Sequence, residues 1–225
     1  MKRRLLLLAG ILLGLVPGVS HAELSSDLNN MGSFGISLGG MQFFADSDAR
    51  EYAGDEYGPG GSAQLRPIGK AMFRYRWSQT WALAVETGFG WNSYPDSDDL
   101  VLRVIPLTIG LERRIRDISG AAVSACFGGG VYVWGLSREG EYLIDAETQQ
   151  DYHTADPGLY LGLAGEFHVA PFLTMMGQLT ANYIYSAHSN DFRASLGGDD
   201  IYADFRIGLH YYFSPLEGLL TKEPE

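Results

Sequence analysis

The sequence predicts an all-β protein, an eight-stranded antiparallel up-and-down transmembrane β-barrel. Three observations carry that reading. The N-terminus has the order of an export signal, and no later stretch is apolar enough for a membrane helix. Eight segments alternate apolar with polar residues. The connections between them alternate between short and long.

Composition narrows the function classes first. Of 225 residues, 46% are hydrophobic, 12% aromatic and 19% charged, with 29 glycines and one cysteine. That apolar content excludes a disordered chain, and a single cysteine excludes a disulfide framework or a multi-thiolate zinc site. A formal charge of −11 argues against nucleic acid, which needs clustered Lys and Arg. No motif calls for a cofactor, a metal or a catalytic group, and none is expected.

Lys2, Arg3 and Arg4 precede an apolar run from Leu5 to Val16, then Pro17-Gly18, then Ser20-His21-Ala22 with small residues at −3 and −1. This predicts a signal peptide over 1–22, cleaved after Ala22. A run of twelve apolar residues is too short to span a bilayer as a helix. Cleavage removes three positive charges and leaves about −14 from Glu23 onward. The barrel is assigned to 23–213 and a short polar periplasmic tail to 214–225.

The strands follow in order. Phe34, Ile36 and Leu38 alternate with Ser33, Gly35, Ser37 and Gly39. Ala71, Phe73, Tyr75 and Trp77 alternate with Lys70, Met72, Arg74 and Arg76. Trp81, Leu83, Val85, Thr87, Phe89 and Trp91 alternate with Ala82, Ala84, Glu86, Gly88 and Gly90. Five further segments are expected near 100–111, 121–135, 158–167, 172–185 and 201–213. In 121–135 the run Gly128–Gly130 blurs the two faces. Strands of about ten to fourteen residues are long for a soluble domain but suit a tilted membrane crossing.

Short connections are expected at 78–80, 113–120 and 168–171, and long ones at 44–64, 92–99, 136–157 and 186–200. With both termini periplasmic, Trp77, Trp81, Phe167, Phe172 and Phe213 fall at the short-turn rim. Trp91, Tyr94, Trp134 and Tyr185 fall at the long-loop rim, giving two aromatic girdles.

An eight-stranded barrel is only wide enough to be filled by its own side chains. If Trp77 faces Trp81 across the short turn, Glu86 lies opposite Met72, with Lys70 and Arg74 as diagonal neighbours. Lys70, Arg74 and Glu86 are therefore assigned to a lumen charge cluster. Arg76, Glu112, Glu166, Asp204, Arg206 and His210, with Thr174, Gln178, Thr180 and Asn182, are the other inward candidates. Mutual neutralisation in a narrow plugged lumen accounts for these carboxylates better than acid–base catalysis does.

The last strand reads Arg206-x-Gly208-x-x-Tyr211-x-Phe213 and resembles the C-terminal assembly signal of bacterial outer-membrane proteins. Ile105-Pro106-Leu107-Thr108-Ile109-Gly110-Leu111 is similar to the central strand of small porin-family barrels. Together these resemble the OmpA/OmpX/Opa-like family of eight-stranded barrels. The resemblance implies an outer-membrane location, with outer-membrane lipid, lipopolysaccharide and the barrel-assembly machinery as partners. The tail after Phe213 is too short to be a peptidoglycan-binding domain.

Other groupings carry less. His188-Ser189-Asn190 resembles lipid A deacylases in residue types and barrel height, but adjacent strand residues point to opposite faces. A polar loop start explains it better. Asp46-Ser47-Asp48 and Asp96-Ser97-Asp98-Asp99 lack the spacing of a calcium loop and read as solvated charge. His153 and His168 are isolated, and Cys126 reads as a small packed residue. Arg113, Arg114 and Arg116 are placed in a short turn, facing periplasmic or lipid phosphates.

The four long connections hold seventeen Asp and Glu against Arg50, Arg138 and Arg193. The expected role is therefore structural or at the cell surface, through acidic loops, for a surface ligand that the sequence does not identify. Two alternatives remain: a narrow conduit for small or apolar solutes, as in OmpW-like barrels, and a soluble lipocalin-like binder. Outward bands of Leu, Phe and Trp argue against the soluble form.

Overall fold

A strand in an apolar medium must pair on both of its edges, and this chain does so by closing on itself. The computed structural model describes residues 29–43, 65–94, 97–118, 121–142, 144, 153–185 and 200–213. The strands are β1 (Met31–Phe43), β2 (Arg66–Arg76), β3 (Trp81–Tyr94), β4 (Ser97–Ile118), β5 (Ala121–Arg138), β6 (Glu141–Tyr142), β7 (His153–Ala170), β8 (Leu173–Ile184) and β9 (Asp200–Phe213). The order β4-β3-β2-β1-β9-β8-β7-β5 closes through a β4–β5 pairing, so eight antiparallel strands form the barrel. The two-residue β6 pairs with the far end of β5.

The registers set the shape. Register partners run from Ser33 to Arg74, Ala84, Gly110, Gly128, Tyr160, Asn182 and Tyr202. The path returns to β1 at Phe43, ten residues above its start. That stagger corresponds to a strand tilt of about 40° and a backbone-to-backbone width of about 16 Å.

Alternation decides the faces throughout. Phe34, Ile36, Leu38, Phe73, Phe89, Leu107, Ile109, Leu159, Leu161 and Leu209 point outward, while their neighbours fill the interior. Trp81 and Trp91 bracket this outer belt on β3, ten residues apart, or about 25 Å along the axis.

Local chemistry explains the turns. At 78–80, the Trp81 N–H donates to Ser78 Oγ at 3.0 Å, and the Arg114 N–H donates to the Thr80 carbonyl at 2.8 Å. In the β5–β6 hairpin, Glu139 (φ 52°) and Gly140 (φ 91°) both take the left-handed backbone of a two-residue turn that matches strand twist.

Several boundaries differ from the sequence reading. The expected long connection at 92–99 is instead a hairpin: β3 runs to Tyr94 and pairs with Ser97 of β4. The expected turn at 113–120 is strand to Ile118, with a bulge at Ile115. The expected loop at 136–157 contains the end of β5, all of β6 and the start of β7. As a result β4, β5 and β7 are 22, 18 and 18 residues long, beyond the ten to fourteen expected. Bulges and glycines interrupted the alternation there, while main-chain pairing continued. The signal segment 1–22, all of 44–64, residues 186–199 with His188-Ser189-Asn190, and the tail 214–225 lie outside the described residues.

Candidate functional site in the lumen

The interior is built from inward positions of all eight barrel strands, and it forms two charge networks separated by an apolar layer. In the upper network Glu86 accepts from Lys70 Nζ at 2.9 Å and from Arg206 Nη1 at 2.8 Å. Asp204 accepts from the same two cations, at 3.2 Å from Lys70 and 2.6 Å from Arg206. Asn182 Nδ2 adds a bond to Asp204 at 3.0 Å. Two cations and two carboxylates thus close a ring with no net charge.

In the lower network Arg74 donates to Glu112 at 2.8 Å, to Glu166 at 2.6 Å and to Tyr212 Oη at 2.7 Å. Glu166 also accepts from Thr174 at 2.6 Å, from Tyr212 at 2.5 Å and from Arg76 at 3.4 Å. Arg74 and Arg76 balance Glu112 and Glu166, so this network is also neutral. Desolvated charges are tolerated only when paired in this way.

Between the networks lie Met72, Ala84, Ala164 and Met176, all buried. Above the upper network Tyr132, Tyr160 and Tyr202 fill the bore, with the Tyr132 hydroxyl donating to Asn182 Oδ1 at 3.1 Å. Tyr160 fits because Gly110 and Gly128 stand opposite it: a Cβ on Gly128 would come within 2.7 Å of its ring. The glycine run that blurred the faces of β5 is therefore the hollow that receives a tyrosine.

Among the sequence-derived site residues, Lys70 and Glu86 meet across one hairpin. Arg74 enters the lumen but does not reach Glu86; it joins Glu112 and Glu166 instead. Arg76, Glu112, Glu166, Thr174, Gln178, Thr180, Asn182, Asp204, Arg206 and His210 are all buried. Of the C-terminal pattern, Arg206 points into the upper network and Gly208 packs its backbone against Ile36 and Ser37. Tyr211 is exposed outward, and the Phe213 ring lies 6.3 Å from that of Phe73.

Trp134, expected in the outer girdle, instead faces inward, and its indole N–H donates to Asp156 at 2.7 Å. Asp156, counted with the loop charges, is fully buried on β7. Its parity with Tyr160, Ala164 and Glu166 is the available signal, hidden in the sequence because β7 begins at His153, five residues before the expected start at 158. The tyrosines Tyr202 and Tyr212 carried the same signal, sharing the inward parity of Asp204 and Arg206.

Cys126 is buried and accepts from Gln178 Nε2 at 3.6 Å. Among the described residues no cluster of His, Cys, Asp and Glu could hold a metal ion. Among those residues, too, no helix is long and apolar enough to cross a membrane.

No protein-family model matches this sequence, and no curated protein sequence matches it. Solved structures do. Neisserial surface protein A superposes with a TM-score of 0.55 at 11% identity, covering 81% of this chain and 97% of that one. Ail, the attachment invasion locus protein of Yersinia pestis, gives a TM-score of 0.47 at 14% identity, covering 82% and 99%. The chain has the eight-stranded antiparallel barrel fold of these outer-membrane proteins.

Proposed function

We propose that this chain is an integral outer-membrane barrel with a plugged lumen, serving a structural or surface-contact role and carrying no enzymatic activity. The observation that carries the reading is the filled bore: two neutral charge networks separated by Met72, Ala84, Ala164 and Met176. Membrane placement is supported by the outward apolar belt between Trp81 and Trp91, whose height of about 25 Å matches a bilayer's apolar band. In water so large an apolar surface would aggregate. The likeness to Neisserial surface protein A supports the same location.

With the interior packed, contact chemistry falls to the connections beyond the long-loop rim. The acidic sequence at 44–64, 145–151 and 186–199 makes them the surface for an extracellular ligand. Outer-membrane lipid and lipopolysaccharide surround the belt, and the Arg206–Phe213 strand is the segment offered to the assembly machinery. A conduit for small or apolar solutes would require both networks and the apolar layer to part together.

The test is direct. Chain refolded into detergent runs at a different gel position before and after boiling, and in planar bilayers it passes no large steady current. A water-soluble product, or stable single-channel currents of porin size, overturns the reading.

A further inference from the structure

The bulge in β4 does something that the plain strand would not. Residue 115 is left without a partner between Arg114↔Ser124 and Arg116↔Val123. Regular alternation would put Arg113 and Arg116 on opposite faces. The extra residue restores Arg116 to the outward face, where it joins Arg113. Arg114 stays on the other side, its guanidinium 2.6 Å and 2.8 Å from Asp117 Oδ1.

Arg113 and Arg116 are both exposed, and among the described residues neither has a carboxylate partner. The Arg113 guanidinium lies 5.4 Å from the Trp81 ring centroid, which holds it at the short-turn rim. Ile115 and Ile118 are 60% and 53% exposed beside them. Two uncompensated guanidinium groups, an indole and apolar side chains thus stand at one edge of the outer belt. Guanidinium forks suit phosphate oxygens, and indole and isoleucine suit the glycerol and upper acyl region.

We propose that Trp81, Arg113 and Arg116 form a site for the headgroup of an anionic glycerophospholipid in the leaflet at the short-turn rim. The site rests on the membrane reading above, and it goes beyond general lipid contact by naming one place and one class of headgroup.

The experiment uses the full chain refolded in detergent, its folded state confirmed by the gel shift on boiling. Native mass spectrometry then counts retained lipid after addition of phosphatidylglycerol or phosphatidylcholine. The wild type retains phosphatidylglycerol in preference, and 0.5 M salt reduces that preference by screening. Arg113→Gln and Arg116→Gln each reduce phosphatidylglycerol retention roughly threefold to tenfold, as for net loss of one solvent-exposed hydrogen bond. Arg114→Gln, whose charge Asp117 already neutralises, leaves it unchanged.

Equal retention of the two lipids by folded wild type overturns the site while leaving the barrel reading intact. So does an equal loss in Arg114→Gln, because that would report net charge alone. A wild-type chain that is soluble without detergent overturns the membrane reading, and the site with it.

Discussion

Replacing Arg74 with methionine tests the lumen most sharply, because its two carboxylate partners are unequally supported. Glu166 would keep Thr174, Tyr212 and Arg76. Among the described residues Glu112 would keep nothing: its Oε2 accepts from Arg74, and its Oε1 has no partner there. Arg74→Met therefore strands one buried carboxylate, a change that costs about 3–5 kcal/mol in a protein interior. Methionine fills much of the same volume, so cavity formation adds little. With a urea slope of roughly 3 kcal/mol/M, the unfolding midpoint should fall by roughly 1–1.7 M.

The assay is urea unfolding of the refolded barrel in phospholipid vesicles, followed by tryptophan fluorescence and the boiling-dependent gel shift. The unequal support predicts unequal rescue. Glu112→Gln, added to Arg74→Met, should recover more than half of the lost stability, because it removes the stranded charge. Glu166→Gln should recover much less. A midpoint within about 0.2 M of wild type, or equal rescue by the two glutamines, would refute the description of the lower network.

Further outcomes follow from packing. Gly128→Ala should destabilise by about 1–3 kcal/mol, since its Cβ would lie 2.5 Å from the Gly110 backbone and 2.7 Å from the Tyr160 ring. Gly165→Ala, where nothing lies within 4 Å, should be neutral in the same unfolding series. Met176→Ala, which opens the layer between the networks, should cost about 2–4 kcal/mol and give brief current openings in planar bilayers that wild type lacks. Trp134→Phe removes the bond to Asp156; it should cost about 1–3 kcal/mol in the same urea assay.

The fold was legible because a strand's two faces are a local property. Phe73 and Arg74 point to opposite sides whatever the rest of the chain does, so period-two alternation located all eight crossings. Register within a tight hairpin is nearly local as well. Placing Trp77 opposite Trp81 puts Glu86 opposite Met72, as the β2–β3 ladder has it. Where bulges or glycines break the pattern the sequence misleads. Ile115 hid the end of β4, Gly128–Gly130 hid the faces of β5, and the hairpin at Tyr94 and Ser97 read as a loop because its residues are polar.

By itself, then, the sequence determined which residues face the interior wherever alternation runs unbroken, and that the interior holds charges of both signs. Tertiary structure decided which charges meet. Glu86 is 120 positions from Arg206 in the chain and 2.8 Å away in the barrel, while Arg74, its diagonal neighbour, turns to Glu112 and Glu166. Those pairings follow from closure with a ten-residue stagger, which lifts each strand past its neighbour and sets which inward side chains share a level. Stagger is a property of the whole ring. No segment of the sequence carries it, because it exists only once β4 has paired with β5 and the last edge is gone.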